Sequence, residues 1–126
     1  MPNVNRANRE IERLAPGLQT IARELIAKAR TEGLCVGLFE GWRSPERQNH
    51  LCDIKASRVR ADNPKAYHVR GRAVDIVFLD YFGGWSWSNH WNWQRVGEIG
   101  EELGLTWGGR WTRFPDLAHF QLEEDI

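Results

Sequence analysis

The feature that most constrains this chain is an alternating apolar segment at residues 72–79, near its middle. Its side chains alternate between two faces and are rich in valine, isoleucine and phenylalanine, which predicts a strand buried on at least one side. Asp75 lies within this strand, on the face that also carries Ala73 and Val77. A buried carboxylate is costly unless it is paired or binds a metal. Asp75 therefore predicts a polar partner inside the fold.

His68 and His119 are the predicted partners of Asp75. Gly71 lies between His68 and the strand, where its conformational freedom can turn the chain and bring the imidazole back beside Asp75. Near the C-terminus, His119 begins a second short alternation that predicts another strand. His and Asp side chains are common zinc ligands. We therefore predict that His68, Asp75 and His119 bind Zn²⁺, although manganese or cobalt could occupy the same ligands.

Asp116 is the predicted general base. A catalytic zinc site commonly has three protein ligands and an open position for water. It also needs a carboxylate that is not a ligand, to accept the proton of that water. Asp116 comes three residues before His119, which places it near the predicted metal without requiring it to bind there.

The sequence around these residues resembles that of a known family. The chain has His-x2-Gly-x-Ala-x-Asp at 68–75, Trp-Gly-Gly-x-Trp at 107–111 and Asp-x2-His-Phe-Gln at 116–121. In order and spacing, these motifs resemble the zinc D-alanyl-D-alanine carboxypeptidase and L-alanyl-D-glutamate endopeptidase family, in particular the single-domain endolysins of tailed phages. The segment Gly-Trp-Arg-Ser-x3-Gln at 41–48 also resembles that family. The resemblance extends over nearly the whole chain.

The resemblance implies an activity and further site residues. It implies a peptidase that hydrolyses the L-alanyl–D-glutamate bond of peptidoglycan stem peptides. Arg43 would stabilise the oxyanion or bind a substrate carboxylate, and Gln48 and Tyr67 would contact the substrate. A D-alanyl-D-alanine carboxypeptidase is the alternative within the family, and a non-catalytic zinc-containing wall-binding module is the alternative outside enzymes.

Two positions depart from the family pattern. Related sequences usually have Ser where this chain has Ala66, two residues before His68. Related sequences also often have an acidic residue at the position of Arg110. The first departure is expected to change substrate contacts and to leave the metal ligands unaffected.

Composition excludes several functional classes. Lys plus Arg and Asp plus Glu both number 17, so the chain lacks the basic excess of many nucleic-acid binders. No apolar run approaches the ~20 residues that span a bilayer, and residues 1–6 lack the apolar core of a signal peptide. We expect a monomer that binds neither nucleic acid nor membrane. It would be made in the host bacterial cytoplasm and act on the periplasmic cell wall after release by a separate holin-type protein, which the resemblance implies.

The predicted fold is α+β, in one catalytic domain over residues 1–126 without a separate wall-binding domain. A small central antiparallel sheet would be flanked by about three helices, as in hedgehog/D,D-peptidase-like proteins, which the resemblance implies. Helices are predicted at about 16–32, 45–54 and 91–103, and strands at 34–40, 72–79, 105–107 and from 119.

Several other side chains are predicted to have structural roles. Cys35 and Cys52 are expected to be reduced and largely buried, and Trp93 is expected in the core. For Trp85 and Trp87, the sequence favours packing and contact with the cell wall equally. His50 and His90 have no carboxylate at a motif spacing and are expected to be structural or solvated.

Overall fold

A five-stranded antiparallel sheet organises the molecule, and a computed structural model describes residues 3–123. The helices are α1 (Pro16–Thr31), α2 (Pro45–Asp53) and α3 (Trp93–Glu102). The strands are β1 (Val36–Glu40), β2 (Ala73–Leu79), β3 (Trp85–Ser86), β4 (Thr106–Trp107) and β5 (His119–Gln121). Short 3₁₀ turns occupy Ile11–Arg13, Tyr67–Arg70 and Gly108–Arg110.

The strand order β1-β2-β5-β4 places β2 inside the sheet, with β3 also paired to β2. Every pairing is antiparallel. The α+β prediction, with an antiparallel sheet and three helices, is confirmed. The two-residue strand β3 was not predicted, because it forms only through pairing with the end of β2.

The two faces of β2 divide as the alternation predicted. Val74, Ile76 and Phe78 join the main hydrophobic core, together with buried residues of α1 and α3. Ala73 and Val77 are also fully buried, on the face shared with Asp75. The sheet thus holds Asp75 between a packed core and a cleft.

Close packing of α3 positions β4 and β5. Gly97 and Gly100 lie on its buried face, where an added Cβ would come within 2.3 Å of Trp107 and 2.5 Å of Phe120. Their lack of a side chain therefore lets the helix approach both rings directly. Since Phe120 adjoins His119, this packing also fixes the strand that carries a predicted ligand.

The tryptophan and cysteine predictions had mixed outcomes. Trp93 is in the core, as predicted, whereas Trp85 and Trp87 are 47% and 49% exposed and pack edge-on against Phe39. Both cysteines are free thiols, but Cys35 is exposed and Cys52 only half-buried, so the prediction of largely buried thiols is wrong.

The exposure of Cys35 has a simple cause. Val36, the next residue, is fully buried against the core, and alternation along an extended chain turns the preceding side chain outward. In the region that the structure describes, no helix combines the length and apolar character needed to cross a membrane.

Candidate metal centre and substrate cleft

Three side chains of metal-binding type meet at one end of β2. Asp75 on β2 pairs directly with His119 on β5. Gly71, with a φ of 69°, ends the 3₁₀ turn that carries His68. Oδ1 of Asp75 lies 3.4 Å from Nε2 of His68 and 3.4 Å from Nδ1 of His119. The sheet register and the turn together bring the predicted ligands within reach of one ion.

The second nitrogen of each imidazole is held by a protein oxygen. Nδ1 of His68 donates to the carbonyl oxygen of Gly41 at 2.8 Å. Nε2 of His119 donates to Oε1 of Gln121 at 2.7 Å. In the neutral rings, these bonds leave the lone pairs of the other two nitrogens directed toward Asp75. Such outer contacts set the tautomer and ring orientation of metal-binding histidines.

The facing atoms lack partners of their own. Nε2 of His68 and Oδ1 of Asp75 are buried without a hydrogen-bond partner among the described residues, which is uncommon for polar atoms in a folded protein. The three ligand atoms lie within 4.8 Å of one another, and no other described His, Cys, Asp or Glu residues form such a group. The donor set and its orphaned atoms fit a divalent metal ion.

Local electrostatics favour positive charge between these side chains. Burial by itself would raise the pKa of Asp75, but the adjacent His68 and His119 hold it well below its ordinary value. Burial would lower the pKa of His119, but the Asp75 carboxylate raises it. The Asp75 carboxylate is therefore ionised, and a nearby positive charge stabilises it. A bound metal ion would supply that charge.

Arg43 contacts Asp75 through the carboxylate oxygen that does not face the two imidazoles. Its Nη2 lies 3.3 Å from Oδ2 of Asp75 and 3.1 Å from Oε1 of Glu40, and its Nη1 donates to Gln48 at 3.2 Å. The side chain is only 12% exposed. Its Nε has no hydrogen-bond partner among the described residues. Arg43 is thus placed against Asp75 as well as beside the cleft.

Gln48 and Tyr67, both predicted substrate contacts, line the same cleft but have protein partners. Gln48 is buried, and its amide nitrogen donates to Oγ of Ser57 at 2.9 Å and to the carbonyl of Val59 at 2.8 Å. The hydroxyl of Tyr67 donates to Glu123 at 2.6 Å. Gln48 therefore links α2 to the rim at 57–59.

Asp116 lies at the mouth of the site, in the segment that leads into β5. Its backbone nitrogen donates to Gly108 at 3.0 Å, and its Oδ1 accepts from the backbone of Ala118 at 3.2 Å. A Cβ on Gly108 would lie 2.6 Å from the Asp116 carbonyl, so the turn at Gly108–Arg110 needs glycine there. Although the residue is exposed as a whole, partial desolvation and the charge of Asp75 raise the pKa of its carboxyl.

These residues line one cleft of about 530 Å³. One rim is formed by residues 56–59 and 65–67, and the other by 111–116. Every predicted site residue borders the cleft: Arg43, Gln48, Tyr67, His68, Asp75, Asp116 and His119. Among the described residues, His50 and His90 border neither the cleft nor the cluster of His68, Asp75 and His119.

Sequence reasoning missed two residues that support the site. Glu40 is 1% exposed and lies between Arg43 and Arg47, with Arg47 Nη2 donating at 3.2 Å. Gln121 holds the His119 ring. Its position two residues after His119 in a strand was a usable signal, because alternate residues share a face.

Comparison with known proteins then assigns the family. Residues 60–122 match the model of a peptidase family described as D-alanyl-D-alanine carboxypeptidase. The peptidoglycan L-alanyl-D-glutamate endopeptidase CwlK of Bacillus subtilis is 31% identical over 86% of this chain and 73% of its own length. The chain belongs to the peptidase family described as D-alanyl-D-alanine carboxypeptidase. The resemblance identified from the motifs is confirmed, and the chain is a metallopeptidase.

Further known proteins are similar to the chain in sequence or in fold. The L-alanyl-D-glutamate peptidase of Listeria phage A118 is 26% identical over 93% of this chain but only 41% of its own length. The L-Ala D-Glu endopeptidase ChiX of Serratia marcescens superimposes with a TM-score of 0.71 at 25% identity, covering 95% of this chain and 88% of its own. The vancomycin-resistance D,D-pentapeptidase VanY, at 19% identity and a TM-score of 0.64 over 86% of this chain and 72% of its own, shares the fold.

Proposed function

We propose that the chain is a zinc-dependent peptidoglycan peptidase that hydrolyses the L-alanyl–D-glutamate bond of stem peptides. The observation that carries this proposal is the cluster of His68, Asp75 and His119, whose ligand atoms lie within 4.8 Å of one another on the wall of an open cleft. The Bacillus, Listeria phage and Serratia relatives, all named for this bond, support the choice of substrate.

The three clustered side chains would hold Zn²⁺, which their donor types favour. When bound, zinc supplies Lewis-acid chemistry that acidifies water and polarises the scissile carbonyl. Asp116 accepts a proton from the attacking water and delivers it to the leaving amine, which is the role of a general base and then acid. Its raised pKa suits that exchange, because a more basic carboxylate is a better proton acceptor.

Arg43 has two tasks in this proposal. Its contact with Oδ2 of Asp75 orients that carboxylate. Its side chain also lines the cleft, where it would contact a substrate oxygen, whether the developing oxyanion or a carboxylate. Gln48 and Tyr67 border the substrate on the same side of the cleft.

D-alanyl-D-alanine carboxypeptidase activity is the second candidate, because the matching family model carries that description. Digestion of purified peptidoglycan separates the two activities. The endopeptidase leaves L-alanine on muramic acid and exposes a new amino group on D-glutamate, whereas the carboxypeptidase releases free D-alanine. Mass spectrometry of the fragments is expected to show the first pattern. Release of D-alanine alone would assign the second activity, and no release of either kind would leave a binding module.

The cellular setting is part of the same proposal. Residues 1–126 would act as one catalytic domain, as a monomer, without nucleic acid and without insertion into a membrane. The phage relative supports a role as an endolysin. In that setting, the enzyme would be made in the host bacterial cytoplasm and reach the periplasmic wall through a separate holin-type protein.

A further inference from the structure

The two rims of the cleft carry basic side chains without acidic partners. Arg58 and Lys65 lie on one rim and Arg113 on the other. Within residues 3–123, none of the three forms an ion pair, although two nearby arginines do. Arg60 contacts Asp53 at 2.8 Å and Arg110 contacts Glu101 at 2.9 Å. The cleft is therefore bordered by three cations that pair with no carboxylate among the described residues.

Arg58 is held in place by the aromatic ring of Phe114. Its guanidinium carbon lies 3.1 Å from the ring centre of Phe114. Phe114 is 58% exposed and has a φ of 53°, a left-handed conformation that few non-glycine residues adopt. A guanidinium stacked on a ring keeps its N–H edges free to donate in its own plane. The contact therefore orients Arg58 without using its hydrogen-bonding capacity.

The carboxylates that line the cleft contact partners other than the three rim cations. Asp75 is held by Arg43 and faces the two imidazoles. Glu123 accepts from Tyr67 at 2.6 Å and from Gln121 at 2.7 Å. Asp116 accepts from the backbone of Ala118. The rim cations thus remain available to an anionic ligand that enters the cleft.

We propose that Arg58 and Arg113 recognise a free carboxylate on the leaving side of the scissile bond, with Lys65 adding to the attraction. The inference rests on the proposed function. Glutamate has two carboxyl groups, and only one of them can continue the peptide, so the glutamate that leaves from an L-alanyl–D-glutamate bond keeps a free anion. Arginine binds a carboxylate through two parallel hydrogen bonds. An amide at the same position offers one acceptor and no charge.

The test compares two stem peptides that differ only in this group. One carries D-glutamate with its free carboxylate, and the other carries the corresponding amide. The wild-type kcat/KM is expected to be about tenfold or more higher for the acid, the size expected when a charge-assisted hydrogen bond is lost. In Arg58→Gln and Arg113→Gln, the ratio is expected to fall toward one because cleavage of the acid slows. Arg60→Gln, an exposed neighbour outside the cleft, is the matched control and should keep the wild-type ratio.

Binding of the two product peptides, measured by calorimetry, gives a readout independent of turnover. The acid product is expected to bind more tightly than the amide product, and the two arginine variants should lose that difference. Equal kcat/KM and equal affinity for the acid and amide forms would overturn the inference, as would an unchanged preference in both arginine variants. If wild-type protein cleaves neither peptide, the proposed function is contradicted. The binding comparison still decides whether the rim arginines recognise a carboxylate.

Discussion

The guanidinium of Arg43 lies 3.3 Å from Oδ2 of Asp75, whereas Oδ1 of the same carboxylate faces the two imidazoles at 3.4 Å. The two oxygens of one side chain therefore serve different partners. One binds a fixed cation of the protein, and the other is directed at the proposed metal. Arg43 is thereby coupled to the metal site, although it is not itself a ligand.

Arg43→Ala is expected to lower zinc affinity or activity by about 10- to 100-fold, the usual cost of losing a partner of a metal-binding side chain. Competition with a chelating dye measures zinc affinity, and stem-peptide cleavage at saturating zinc measures kcat. Arg43→Lys is the matched variant, because it keeps the charge and loses the planar fork. A variant with normal affinity and reduced kcat would assign Arg43 to the oxyanion alone.

His68→Ala and His119→Ala are expected to abolish stoichiometric zinc binding. Because a ligand that binds only the folded protein stabilises it, zinc should raise the Tm of the wild-type protein and not that of either variant. His50→Ala, outside the cluster, should respond to zinc as the wild type does. One zinc per chain in either His68→Ala or His119→Ala would show that the ligand set is wrong.

Gly97→Ala is expected to destabilise the protein by about 1–3 kcal/mol, because the added methyl group overpacks a core region. Its Cβ would fall 2.3 Å from the buried ring of Trp107. Gln94→Ala, on the exposed side of the same helix, is the control and should change stability little. Urea denaturation measures both. Equal stability of Gly97→Ala and wild type would contradict the close packing of α3 on β4.

Acidification should weaken the contact between α3 and Glu32, the residue that follows α1. Arg95 contacts Glu32 at 2.7 Å, and this hydrogen bond lowers the pKa of Glu32 below its ordinary value of 4.5. Its contribution to stability is thus complete above the unfolded pKa and is lost as the pH falls from about 4.5 through the folded pKa. The Tm advantage of wild type over Glu32→Gln should be small, as for exposed pairs, and should shrink below pH ~4.5. An advantage that grows on acidification would contradict this account.

Local sequence was enough to predict two of the three clustered side chains. Asp75 was marked by its place in an apolar alternation, and the positive φ of Gly71 lets His68 turn back, as its sequence position predicted. Each of these signals depends on neighbours within a few residues. The adjacent pairing of Asp75 with His119 required the family motifs as well, since they join segments far apart in the chain.

Contacts between distant segments could not be predicted in this way. Arg43 and Asp75 are separated by 32 positions, and their contact depends on how β1 and β2 pair. The stacking of Arg58 on Phe114 joins two loops with no periodic pattern. Neither the burial of Glu40 between two arginines nor the exposure of Cys35 follows from composition, because both depend on tertiary packing.

The most direct test of the central claim compares wild type with Asp116→Ala, assaying zinc content and cleavage of purified peptidoglycan on the same samples. Wild type is expected to bind one zinc and cleave the wall. Asp116→Ala should bind zinc equally and lose activity by about 100- to 10,000-fold, the contribution typical of a general acid or base. Loss of zinc from the variant would make Asp116 a ligand, and equal cleavage by both proteins would remove it from the mechanism.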